Sequence, residues 1–112
     1  MGFNKILEAK GLAMANATVK VVLKLNAQPD KLAELRSLLL DLAAQSRKEN
    51  GCIDYQVLQS SSDPCEFVAI EEWTDNAVLD AHMASPHVGA ALAKGPSVLA
   101  KNLERAVYSA VR

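Results

Sequence analysis

The sequence predicts an α+β fold of ferredoxin-like type, a split β-α-β arrangement with an antiparallel sheet, on three observations. An alternating apolar segment, "TVKVVLKLN" at 18–26, is followed by a leucine series at helical spacing. Two further alternating segments, "CIDYQVLQ" and "CEFVAIEEW", are separated by "SSSDP", whose Ser, Asp and Pro favour a turn. A second helical region and the closing segment "NLERAVYSAVR" complete the order β-α-β-β-α-β.

In the first segment Val19, Val21, Leu23 and Leu25 share one face of a strand, and Thr18, Lys20, Lys24 and Asn26 the other, with Val22 as the interruption. Pro29 and Asp30 then punctuate the chain, Asp30 being a suitable N-cap. Leu32, Leu35, Leu38, Leu39 and Leu42 form a helical stripe. That helix is predicted to end near Asn50, with Gly51 closing it in a left-handed conformation. The next two strands form a hairpin. Thr74 or Asp75 caps a short helix carrying Val78, Leu79, His82 and Met83, and Pro86 opens another helical turn through "HVGAALAKG". Right-handed crossovers place the first and third strands in the middle of the sheet. The greater apolarity of "VKVVLKL" and "FVAIEEW" agrees.

Residues 1–17 show little periodicity and read as an N-terminal extension, either disordered or a short helix, with Met14 in "MANATVKVV" resembling a second start; the folded domain is expected over 18–112. Both helical regions should stack on one face of the sheet. The opposite face mixes Lys20, Lys24, Asp54 and Gln56 with Val22 and Leu58, which suits a face-to-face homodimer, a solvated sheet being the alternative.

The chain has 112 residues, half of them hydrophobic and 22% charged, the balance of one ordinary globular domain. Its 12 Lys and Arg nearly cancel 13 Asp and Glu, so no broad field gathers nucleic acid or anionic lipid. No apolar run approaches the roughly 18 residues that spanning a bilayer requires. Glu8 and Lys10 interrupt the N-terminal segment where a signal peptide would be apolar, so a cytoplasmic location is expected. Cys52 and Cys65, without CxxC spacing, read as reduced core or strand residues.

The lone tryptophan, Trp73, and both histidines, His82 and His87, fall within fifteen positions. The histidines are five apart with Pro86 between them, whereas a helical metal pair needs i,i+3 or i,i+4 spacing, and no ligand completes a set locally; no metal is expected. Nucleophile-elbow, phosphate-loop and dinucleotide signatures are missing from the sequence. What is left is a pocket. Trp73 ends a central strand at the mouth between sheet and helix, and His82 shares a helical stripe with Val78 and Leu79, so an aromatic plate and a titratable imidazole would share one cavity. Imidazole, with an ordinary pKa of ~6.5, suits general-base work on a phenol or enol. Each residue also has a plainer reading: Trp73 as core with its N–H on a backbone carbonyl, His82 as a satisfied boundary residue, His87 as a surface or capping residue, and Tyr55 as core or interface. Glu71 and Glu72 split across the two faces of a strand, so one carboxylate points inward and needs a partner such as Lys or Arg.

The stretch "GCIDYQVLQSSSDPCEFVAIEEWTDNAVLDAHMASPHVGAAL" resembles the antibiotic biosynthesis monooxygenase family in its "GC…Y" strand, its "F…EEW" strand and its "L..H..S.H" helix. The preceding "VKVVLKLNAQPDKLAELRSLLLDL" is similar to that family's first strand and helix, so the resemblance spans 18–110. It implies a dimeric α+β barrel, each subunit keeping a pocket between sheet and helices. It further implies oxygenation of quinol-like or polyphenolic small molecules with no cofactor beyond dioxygen as co-substrate, the deprotonated substrate itself reducing the oxygen. On this resemblance Trp73 lines the pocket and His82 binds substrate or acts as base, with Tyr55, His87 and Leu23 as further substrate-binding candidates. Leu23, and a residue near Leu92, stand where heme-degrading relatives carry an asparagine and an iron-ligating histidine, which disfavours heme. Isomerisation or cleavage of a small oxygenated metabolite, for which Lys20 and Lys24 are candidate anion contacts, and non-catalytic binding of a small ligand are the alternatives.

Overall fold

The computed structural model describes residues 18–111, so the extension expected over 1–17 lies outside the described residues. The elements are β1 (Val19–Asn26), α1 (Leu32–Ser46), β2 (Cys52–Gln59), β3 (Glu66–Trp73), α2 (Asn76–Met83), α3 (Pro86–Val98) and β4 (Glu104–Ser109). The four strands form one antiparallel sheet in the order β2-β3-β1-β4, with β1 and β3 central as their apolar sequences predict. The fold is the expected ferredoxin-like α+β arrangement.

Strand alternation assigns the faces. Val19, Val21, Leu25, Phe67, Ala69 and Trp73 are buried under the helices, and Leu35, Leu39 and Leu42 of α1 meet them. Fully burying a leucine of this kind contributes roughly 1.5–3 kcal/mol, so the α1 stripe is a principal holder of helix to sheet. Register places Val22 between Ile70 and Ala106, and Val68 beside Leu58, all on the opposite face. That face therefore carries an apolar strip flanked by the Lys20–Glu72 and Lys24–Glu66 ion pairs, both at 3.9 Å.

Two boundaries differ from expectation. Asp30 does not cap α1: Pro29–Lys31 form a 3-10 turn closed by Lys31 N–H on Gln28 O at 2.8 Å, and α1 begins at Leu32 without a side-chain cap. The fixed φ of Pro29 starts a tighter turn before the α-helix can. At its other end α1 stops at Ser46, and turns carry the chain through Arg47–Asn50 to Gly51, which does adopt φ 89°. Asp75 rather than Thr74 caps α2, its Oδ1 accepting from Val78 N at 2.8 Å. Ser85 caps α3, which opens at Pro86 and runs on past "HVGAALAKG" and through Pro96 to Val98.

Candidate functional site

Three elements converge beneath the end of β3. The turn after α1 presents Glu49, the last turn of α2 presents His82, and the first turn of α3 presents His87. Glu49 is positioned by its backbone: its N–H donates to Ser46 O at 3.0 Å, and its carbonyl accepts from Cys52 N at 3.2 Å. Gly51 lets the chain reverse there. A Cβ at Gly51 would lie 2.6 Å from Val78 Cγ1, so only glycine fits both the left-handed φ and the contact with α2.

His82 is 2% exposed. Its Nδ1 donates to Glu49 Oε2 at 2.7 Å, and His87 Nε2 shares the same oxygen at 2.6 Å. The carboxylate on Nδ1 selects the tautomer that leaves Nε2 with its lone pair. Nε2 lies 3.7 Å from Glu71 Oε1, beyond hydrogen-bond reach. Glu71 is the inward member of the acidic pair, and its partner is not the expected Lys or Arg: Trp73 Nε1 donates to Oε1 at 2.9 Å, inside the core.

A cavity of about 560 Å³ opens between the sheet, α1 and α3. Tyr55, Glu71 and His82 form part of its wall, and Lys101, Asn102 and Arg105 are its other polar groups; leucines, including Leu23 and Leu92, supply most of the rest. Neither leucine offers a donor atom for a heme iron. The Tyr55 hydroxyl is buried without a hydrogen-bond partner among the described residues, which leaves it available to a ligand oxygen. Burial, with the Glu71 charge beside it, raises the Tyr55 phenol well above its ordinary pKa, so it is a donor at neutral pH.

Two side chains expected at the cavity stand elsewhere in the structure. Trp73 is not in the cavity wall: it is fully buried and packs at a tilt behind His82, with ring centroids 4.2 Å apart and planes inclined at 36°, because α2 crosses over the strand end. Its indole bonds a carboxylate, not a backbone carbonyl. His87 is neither a surface nor a capping residue but a second donor to Glu49, and it too stands outside the wall. The i,i+3 or i,i+4 spacing of a shared ligand pair applies within one helix, whereas the break at Ala84–Ser85 puts His82 and His87 on two. Glu49 and Arg105 were missed. Glu49 sits in a charged run at a helix end, where the only local hint is Gly51 two positions on.

Glu71 carries a pH signature. Burial raises its pKa, against the lowering effects of the Trp73 hydrogen bond and the His82 and Arg105 charges, while Glu49 adds to the rise. The native state therefore holds a proton that the unfolded chain releases near pH ~4.3, and stability falls as pH rises from there through the native pKa. Glu71→Gln, which can still accept from the indole, should remove this fall and raise the melting temperature at pH 7 but not at pH 4. Parallel melting curves for variant and wild type from pH 4 to 8 would show that folding leaves the Glu71 pKa unchanged and would contradict this.

The sequence profile described as antibiotic biosynthesis monooxygenase matches residues 18–94. The chain belongs to the antibiotic biosynthesis monooxygenase family. Within that family it is similar to the candidate monooxygenase Rv0793 of Mycobacterium tuberculosis, 36% identical over 69 residues that cover 62% of this chain and 67% of that protein. The Rv0793 structure superposes with a TM-score of 0.81 over 85% of this chain and 96% of that one, at 27% identity. A conserved protein from Methanosarcina mazei gives 0.79 over 87% and 96%, at 32% identity. The candidate monooxygenase YcnE of Bacillus subtilis is 30% identical over 77 residues, covering 69% of this chain and 81% of that protein. Among the described residues of this monooxygenase-family chain, no helix is long and apolar enough to cross a membrane.

Proposed function

We propose that the chain is a monooxygenase of quinol-like or polyphenolic substrates, using dioxygen and no bound cofactor, with His82 as general base. One observation carries this reading: a buried imidazole, hydrogen-bonded through Nδ1 to Glu49 Oε2 at 2.7 Å, forms part of the wall of a mostly apolar cavity. Nε2 takes the phenolic proton, and Glu49 stabilises the imidazolium that results. The apolar wall desolvates the phenolate, whose ring then passes electrons to dioxygen. For a quinol, one oxygen atom enters the ring at a C–H carbon and the other leaves as water, the quinol ending as a hydroxyquinone. Tyr55 Oη is the donor for a substrate oxygen, and Leu23 packs against the ring. The test is oxygen uptake with a panel of hydroquinones and anthrones.

A second reading is favoured by one specific feature. His82 Nε2 and the Glu71 carboxyl, with its raised pKa, lie 3.7 Å apart, a base beside an acid, which suits proton transfer in an isomerase. Such an enzyme would form product at an undiminished rate without oxygen.

We further infer a homodimer formed by the outer sheet face. Val22, Val68 and Ile70 there are half-buried though no element among the described residues covers them, and Leu58 and Tyr108 are exposed. Ile70→Lys, which puts a charge in the middle of the strip, should halve the mass measured by light scattering while leaving the circular dichroism spectrum intact. An unchanged mass in the variant would remove this face from the interface.

A further inference from the structure

We propose that Glu49, His82 and His87 form a three-ligand site for a divalent transition-metal ion of the zinc type. Glu49 Oε2, His82 Nδ1 and His87 Nε2 all lie within 4.8 Å of one another, each from a different element. Two imidazoles and one carboxylate make a donor set suited to Zn²⁺, Co²⁺ or Ni²⁺, whereas Mg²⁺ and Ca²⁺ prefer all-oxygen sites.

The geometry suits a metal as well as it suits protons. The two imidazole planes are inclined at 57° with centroids 5.9 Å apart, so their nitrogens converge on one point without the rings stacking. Both nitrogens now approach Glu49 Oε2 at hydrogen-bond distance, 2.7 and 2.6 Å. An ion with tetrahedral bonds of ~2.0–2.2 Å holds its ligand atoms ~3.3–3.6 Å apart, so Glu49 Oε2 would withdraw from each nitrogen by roughly 0.6–1 Å. His87 and Glu49, with side chains 15% and 19% exposed, lie at the surface side of His82 and give the ion a path from solvent and an open fourth position for water. His82, at 3%, is held by the core.

Coordination would change what His82 does, a consequence that rests on its proposed role as base. With the metal on Nδ1, the neutral ring carries its proton on Nε2. The nitrogen nearer Glu71 then donates instead of accepting. Metal occupancy and general-base catalysis are alternatives at one side chain, and the ion is an inhibitor.

The test uses tag-free full-length protein, dialysed against chelator and titrated with ZnCl₂ by calorimetry and with CoCl₂ by visible absorption. One ion per chain is expected, with cobalt bands of a low-coordinate site. His87→Ala and Glu49→Gln should each weaken binding at least ~10-fold. Absence of binding in the wild type, or undiminished binding in both variants, overturns the site. Zinc binding with unchanged oxygen uptake would keep the site and instead overturn the role of His82 as base, so the two failures are distinguishable.

Discussion

His82→Ala is expected to lower turnover by ~10² to 10⁴, the usual contribution of a positioned base, with the melting temperature reduced but folding retained. Which imidazole nitrogen is tied decides the chemistry. Glu49 holds Nδ1 at 2.7 Å, so the ring can neither rotate nor exchange tautomers freely, and Nε2 is the nitrogen left to accept a proton. His82→Gln is the sharper variant, because it can retain a hydrogen bond to Glu49 without a basic nitrogen of comparable strength. Equal loss in both variants assigns the effect to proton transfer. Full turnover in the glutamine variant would show that His82 only holds the wall in place.

Trp73→Ala is expected to cost ~3–5 kcal/mol of stability, the largest structural effect of any single substitution here. The indole is fully buried, packs in the same core as Val19, Tyr55 and Leu79, and donates the hydrogen bond that satisfies Glu71. Truncation leaves a void and an unpaired buried carboxyl together. Trp73→Phe fills most of the void but removes the N–H, so it isolates the hydrogen bond, at ~1–3 kcal/mol. Urea titrations of both variants measure these costs. Because Trp73 lies behind His82 and outside the cavity wall, KM in Trp73→Phe should stay near the wild-type value. A large rise in KM without loss of stability would return Trp73 to substrate contact.

The fold was legible because its signals are local. Alternation in "TVKVVLKLN", the leucine stripe, and the turn residues of "SSSDP" each follow from sterics acting over a few residues. The inward face of His82 was legible for the same reason, since Leu79 precedes it by one helical step. The site was legible only in part. Glu49 meets His82 across 33 positions of sequence, a contact fixed by how the end of α1 packs beside α2, and no local pattern announces it. The position of Trp73 at the end of a central strand is legible, but which face it takes depends on strand register, and whether it reaches a cavity depends on the path of α2 over the strand end. The partner of His87 is not legible locally: Pro86 marks a helix start, but only the packing of α3 after Ser85 turns the His87 side chain back toward Glu49.

The measurement that tests the central claim most directly is the stoichiometry of oxygen consumed to product formed, in chelator-treated protein with a hydroquinone or anthrone, run with and without oxygen. The proposed chemistry predicts one dioxygen consumed per product molecule, one oxygen atom from labelled dioxygen in that product, and no turnover under argon. Product formed at the same rate under argon, or product lacking the label, would contradict it.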